Sequence, residues 1–175
     1  MGRDTSRYRS GTILRMQIYE RDVLSPAELW QLYCNVTEST AIWRKESFVD
    51  AGRKCGFKRI QACSGYLSFE AAGHTAGQAK LLNGLVEEIR LFMGREPRDL
   101  GQELFEQDRR KIPQLATEYS DLFRSHLGSP RHAHDNDIFE TKTHRVRVLA
   151  SAEVWVVLSD LATLSNLNVD YWAAN

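Results

Sequence analysis

Between residues 79 and 93 the apolar side chains Ala79, Leu82, Leu85, Val86, Ile89, Phe92 and Met93 recur at intervals of three and four, and the run stops at Gly94. That spacing marks one buried face of a helix, and a glycine just beyond the last apolar residue is a common helix stop. The stripe predicts a helix across 79–93 and draws the rest of the chain toward helix-on-helix packing.

Neighbouring segments extend that reading. Ser25-Pro26-Ala27-Glu28 has the form of a capping box with proline at the first helical position, and Leu29, Leu32 and Tyr33 follow at helical spacing. After Asn35-Val36-Thr37 a second helix is expected from about Ser39 to Arg53, with Ile42, Trp43, Phe48 and Val49 on its apolar face. Arg95-Glu96-Pro97 opens another helix, Pro113 interrupts it, and Leu115, Tyr119, Leu122 and Phe123 carry it on to Gly128. The block 138–166 is open to two readings. Its valines at 146, 148, 154, 156 and 157 suit a hairpin, whereas Leu149, Ala152, Trp155, Ser159 and Thr163 keep helical spacing with no Gly, Pro or Asn-Gly to break it, and a long helix is the expectation. Strand character is expected in 12–20, where Leu14, Met16 and Ile18 alternate with polar residues, and in a small hairpin around Ser64-Gly65 within 57–69. The expected fold class is mainly α: a single compact helical domain of five or six helices over 12–175, with a minor N-terminal β element, behind a flexible basic tail at 1–11.

Charge bears on partners. Lys and Arg number 23 and Asp and Glu 23, for a formal net charge of zero. The zero is uneven: residues 1–60 hold 11 basic against 7 acidic side chains, 61–128 hold 8 against 10, and 129–175 hold 4 against 6. A uniformly basic surface is excluded, while a local anion-binding face in the N-terminal third stays open. Neutrality also lowers the repulsion that keeps molecules apart, so association with a protein partner or with itself is expected. No stretch approaches the roughly 18 apolar residues of a membrane-spanning helix, and the Arg-rich start does not read as a secretory signal. Cys34, Cys55 and Cys63 are odd in number and lack CxxC spacing, which reads as free thiols in the cytoplasm.

Two constellations carry possible chemistry. The helix pair across 26–53 looks like a helix-turn-helix, with Trp30 where a small residue usually lets the helices approach and no glycine in the turn. In that reading Ser39 and Thr40 touch base edges, and Arg44, Lys45, Arg53, Lys54, Lys58 and Arg59 neutralise phosphates. The alternative is an ordinary helical hairpin with a solvated basic face. The second constellation gathers His126, Arg131, His132, His134, Asp135, Asp137 and His144 into nineteen residues. Imidazole and carboxylate form a ligand set for a divalent metal that activates water, and His132, His134, Asp135 and Asp137 are the expected ligands, with Arg131 holding an anionic substrate. Its alternative is a polar loop whose aspartates cap the following segment.

The function expected from these features is a cytoplasmic, non-catalytic binding or regulatory protein without a cofactor, contacting protein or nucleic acid through the basic N-terminal third. The competing expectation is a metal-dependent hydrolase or nuclease built on 126–144.

Overall fold

The computed structural model describes residues 24–72, 75–95, 111–134, 136–151 and 153–168. The expected tail at 1–11, the strand at 12–20 and the helix opening at Arg95-Glu96-Pro97 fall in whole or in large part outside these residues.

In chain order the elements are α1 (Pro26–Glu38), a 3-10 turn (Thr40–Trp43), α2 (Phe48–Lys54), β1 (Lys58–Cys63), β2 (Tyr66–Glu70), β3 (Ala76–Leu82), β4 (Leu85–Arg95), α3 (Lys111–Leu127), β5 (Arg131–Ala133), β6 (Asn136–Glu140), β7 (His144–Ala150), β8 (Glu153–Asp160) and α4 (Leu161–Asn166). The eight strands form a single sheet in the order β1-β2-β3-β4-β8-β7-β6-β5, antiparallel at every pairing. The expected mainly α class is therefore overturned: the dominant element is a sheet, and the helices form a layer against it. Each half of the sheet is a four-strand meander, and the two halves meet where β4 pairs with β8. A helical segment precedes each meander, so the topology repeats although the sequence shows no repeat.

The misread stripe has a definite cause. Asn83 and Gly84 have φ of 52° and 77° and join Leu82 to its cross-strand partner Leu85. Two successive residues with positive φ make the hairpin turn whose twist matches that of the flanking strands. The register then slips between Lys80 and Leu81, and again between Phe92 and Gly94. Each bulge adds a residue and shifts the phase of alternation, so Val86 and Ile89, both buried on the same side, stand three apart. Two phase shifts in a period-2 pattern thus imitate a helical stripe.

The 138–166 block folds as β6, β7, β8 and α4, not as the expected long helix. Its turns use neither glycine nor proline. Thr141 Oγ1 accepts hydrogen bonds from the backbone N–H of Thr143 at 3.2 Å and of His144 at 3.0 Å, closing the β6–β7 turn with a hydroxyl. The valine alternation then decides the outcome: Val146, Val148, Val154, Val156 and Leu158 all point into the core.

The capping box forms as expected, with Ser25 N–H donating to Glu28 Oε2 at 2.9 Å and Glu28 N–H to Ser25 Oγ at 3.3 Å. The hairpin at Ser64-Gly65 also forms, with Cys63 opposite Tyr66. Its outer strand β1 is a sheet edge carrying Lys58 and Arg59, with Arg59 at φ 50° and a register shift before Gln61. Charge and a bulge on an edge strand discourage further strand pairing.

Helices α1 and α3 cover one sheet face. Leu29, Leu32, Tyr33 and Val36 of α1 and Ile112, Ala116, Tyr119 and Phe123 of α3 join Ile89, Leu91, Met93 and the inward valines in one apolar cluster. Tyr119 Oη donates to the Leu24 carbonyl at 2.8 Å, tying the start of α1 to α3. On the same pair of helices the His126 ring lies flat on Trp30, centroids 3.8 Å apart. Phe48, Phe57 and Phe69 form a second aromatic group beneath the β1–β2 hairpin. Among the described residues, no helix is long and apolar enough to cross a membrane.

At the start of β7, His144 sits beside Trp43, its Nδ1 2.8 Å from Thr143 Oγ1 and its Nε2 3.6 Å from Asp160 Oδ1. Burial pulls the imidazole below its ordinary pKa of 6.5, against the upward pull of Asp160. The unfolded chain therefore takes up this proton first as pH falls, so the stability His144 contributes when neutral is lost from about 6.5 downward, through the folded-state value. Denaturant unfolding at successive pH values should show that loss in the native protein. The His144→Gln variant should flatten it, and an unchanged profile would exclude His144 as its source.

Candidate functional site

Strand alternation sends β8 residues Trp155, Val157 and Ser159 to the face opposite the helices. Their cross-strand partners follow them. One row across the sheet reads Arg90, Val157, Arg147, Ile138, Arg131, each residue opposite the next on β4, β8, β7, β6 and β5. A parallel row two residues along the strands reads Phe92, Trp155, Leu149. On the other side of the arginine row, Ser159, Arg145 and Glu140 stand in line. The face thus carries arginines alternating with aliphatic residues, flanked by an aromatic row.

Two carboxylates organise the arginines. Glu88 holds Arg90 through its Nε at 2.6 Å and also accepts from Arg147 Nη2, a residue 59 positions away in sequence. Glu140 accepts from Arg145 Nε at 2.6 Å and lies 3.7 Å from Arg131 Nη2. Next to them Lys80 Nζ reaches Glu87 Oε2 at 2.9 Å. Side-chain exposure separates two classes of arginine: Arg145 and Arg147 retain 11% and 10%, whereas Arg90 and Arg131 retain 43% and 48%. Burial pushes Arg147 down from the usual arginine range while Glu88 opposes the shift. The guanidinium stays charged, because an arginine starts so far above neutral pH. Val157 and Ile138 are buried although they lie outside the cluster that joins sheet to helices, so the middle of this row is not open to solvent. Phe92 and Trp155 meet edge to face with centroids 5.1 Å apart, both half-buried.

The residues expected to bind nucleic acid are not presented on one helix. Ser39 caps the C-terminus of α1, Thr40 opens the 3-10 turn, Arg53 and Lys54 close α2, and Lys58 and Arg59 lie on β1. Arg44 forms an isolated bridge to Leu85, and the Lys45 N–H donates to the Gly84 carbonyl at 3.0 Å. The long second helix expected over 39–53 is replaced by that turn and the 7-residue α2, which is about 10 Å long. A helix-turn-helix is therefore not formed, because α1 runs on through the expected turn at Asn35-Val36-Thr37 to Glu38.

The expected metal ligands are placed on a strand pair. His132 and Asp137 face each other across β5 and β6, Nδ1 to Oδ1 at 2.5 Å, and Asp137 also lies 4.0 Å from Arg124. His134 occupies the intervening turn with φ 49°, and Asp135 lies outside the described residues. Among the described residues no three His, Cys, Asp or Glu side chains are arranged to hold a metal ion. The expectation of a divalent metal finds no support there.

Of the four arginines on this face, only Arg131 is among the site residues expected from sequence. A signal for the rest was present in Arg145-Val146-Arg147-Val148, where charge and aliphatic residue alternate with period two. Comparison with protein-family models, with curated proteins and with solved structures finds no match for this chain.

Proposed function

We propose that this chain is a non-catalytic binding protein that engages an acidic protein partner through the exposed Arg90 and Arg131 and the half-buried Phe92 and Trp155 of its sheet. The observation that carries this reading is that Arg90 and Arg131 keep 43% and 48% of their side-chain exposure on one sheet face, beside the half-buried Phe92 and Trp155. Arginine and tryptophan are the side chains most often responsible for affinity at protein interfaces, and a guanidinium matches a carboxylate with two parallel hydrogen bonds. Glu88 and Glu140 preorganise the arginines, which lowers the entropy lost on binding. The three cysteines are unpaired thiols, which supports residence in a reducing compartment such as the cytoplasm.

Titration with poly-glutamate tests the reading. Binding should weaken as salt rises, because exposed charges are screened beyond about 8 Å at physiological ionic strength. The Arg90→Glu/Arg131→Glu variant, altered only at the two more exposed arginines, should bind at least about tenfold more weakly, a change of about 1.4 kcal/mol. Binding that ignores both salt and these substitutions would remove the sheet face as the site.

A further inference from the structure

At the edge of the sheet away from β1, on the side the helices cover, one imidazole is held by a single nitrogen. β5 is the outermost strand there, and alternation turns His132 toward the helix layer, opposite Asp137 of β6. Asp137 shares its face with the buried Phe139 two residues on. The contact runs from His132 Nδ1 to Asp137 Oδ1 at 2.5 Å. An ionised carboxylate accepts hydrogen bonds and has none to give, so in the neutral ring Nδ1 carries the proton and Nε2 the lone pair. Exposure gives the two groups different roles. The Asp137 side chain keeps 20% and lies 4.0 Å from Arg124 Nη2 of α3, so the carboxylate is anchored. His132 keeps 72%, and among the described residues Asp137 is its one partner, so Nε2 faces outward from a ring of fixed tautomer.

We infer that His132 Nε2 is a phosphoryl-acceptor site, modified by a small donor with a good leaving group such as an acyl phosphate. The Nε2 lone pair forms a bond to phosphorus, the bond from phosphorus to the leaving oxygen breaks, and that oxygen departs with the electron pair. The product is an N-phosphorylated imidazolium. Nδ1 keeps its proton, and the Asp137 carboxylate balances the positive charge of the ring, so no further reactant is needed. Arg124, with 47% of its side chain exposed beside the same carboxylate, supplies N–H groups suited to phosphoryl oxygens. In-line attack requires open space beyond Nε2, and a ring 72% exposed on an outermost strand has it. The site lies on the sheet face opposite Arg90 and Trp155, so it is independent of the partner surface proposed above.

The test incubates the full chain with acetyl phosphate and, separately, with phosphoramidate, and locates the label by tandem mass spectrometry and phosphorus NMR. His126 and His134 are exposed as well and serve as internal standards within the same molecule. His132 is expected to be labelled at Nε2 at least about tenfold faster than either of them, a difference large enough to mark a positioned group. The label should be lost in acid and kept in base, as a nitrogen–phosphorus bond is, and should vanish with His132→Gln. Asp137→Ala should slow labelling of His132 about tenfold, the usual effect of removing the carboxylate behind a working histidine, and leave His126 and His134 unchanged. Far-UV spectra check that the variants are folded, and Asp137→Asn replaces Asp137→Ala if the latter is not. Equal labelling of the three histidines, an acid-stable label, or a His132 rate indifferent to the loss of Asp137 would each overturn the proposal.

Discussion

Replacing Glu88 by alanine is expected to lower the free energy of unfolding by about 3–5 kcal/mol, the usual effect of removing one partner from a buried ion pair. Glu88 is 4% exposed and holds both Arg90 and Arg147. Its loss strips a carboxylate from beside Arg147, a guanidinium that sits in the sheet with little access to water. Chemical denaturation measures the change, and a loss below about 1 kcal/mol would show that water or other side chains replace the carboxylate readily. A second variant separates stability from function. Glu88→Met combined with Arg147→Leu removes both charges and keeps the volume, and buried ion pairs replaced in this way leave stability nearly unchanged or raise it. That variant should remain folded and keep its binding of poly-glutamate, because the exposed Arg90 and Arg131 are retained.

Gly77→Ala is expected to destabilise by about 3 kcal/mol, the upper part of the range for overpacking a filled core. A Cβ at Gly77 would overlap the Phe69 ring, with Cε2, Cζ and Cδ2 all inside contact distance. Phe69 has little room to retreat, since it stacks on Phe57 at 4.0 Å between centroids and lies 6.0 Å from Phe48. Gly77 pairs with Phe69 across β2 and β3, so the ring covers the glycine directly. Phe69→Leu in the Gly77→Ala background should recover part of the loss. Thermal or urea unfolding of the two singles and the double gives the coupling, and strictly additive losses would exclude the steric account.

Features with a local physical cause were legible in the chain. Ser25 and Glu28 satisfy orphan amides within one turn, and Ser64-Gly65 reverses the chain between two short β-leaning runs. The stripe at 79–93 was misleading because two bulges shift its phase, and the Asn83-Gly84 turn inside it outweighs apolar spacing as a determinant of backbone path. In 138–166 the β6–β7 turn rests on a threonine, a residue that reverses the chain only when its hydroxyl bonds the backbone, as Thr141 does. Hydrophobic spacing alone therefore favoured a helix where β-branched residues and a hydroxyl-closed turn form three strands.

The candidate site was legible only in part. Arg145 and Arg147 share a strand face by simple alternation, and that much is present in the sequence. Their position beside Glu88 and Arg90 depends on β8 lying between β4 and β7, an arrangement set by burying Val154, Val156 and Leu158 beneath the helices. By itself the sequence determined the Ser25–Glu28 cap, the Ser64-Gly65 turn and the uneven charge, all matters of neighbouring residues. Tertiary structure alone decided which sheet face the helices cover, and so which charges gather on the other, because a period-2 strand presents two faces and only long-range packing chooses which is buried.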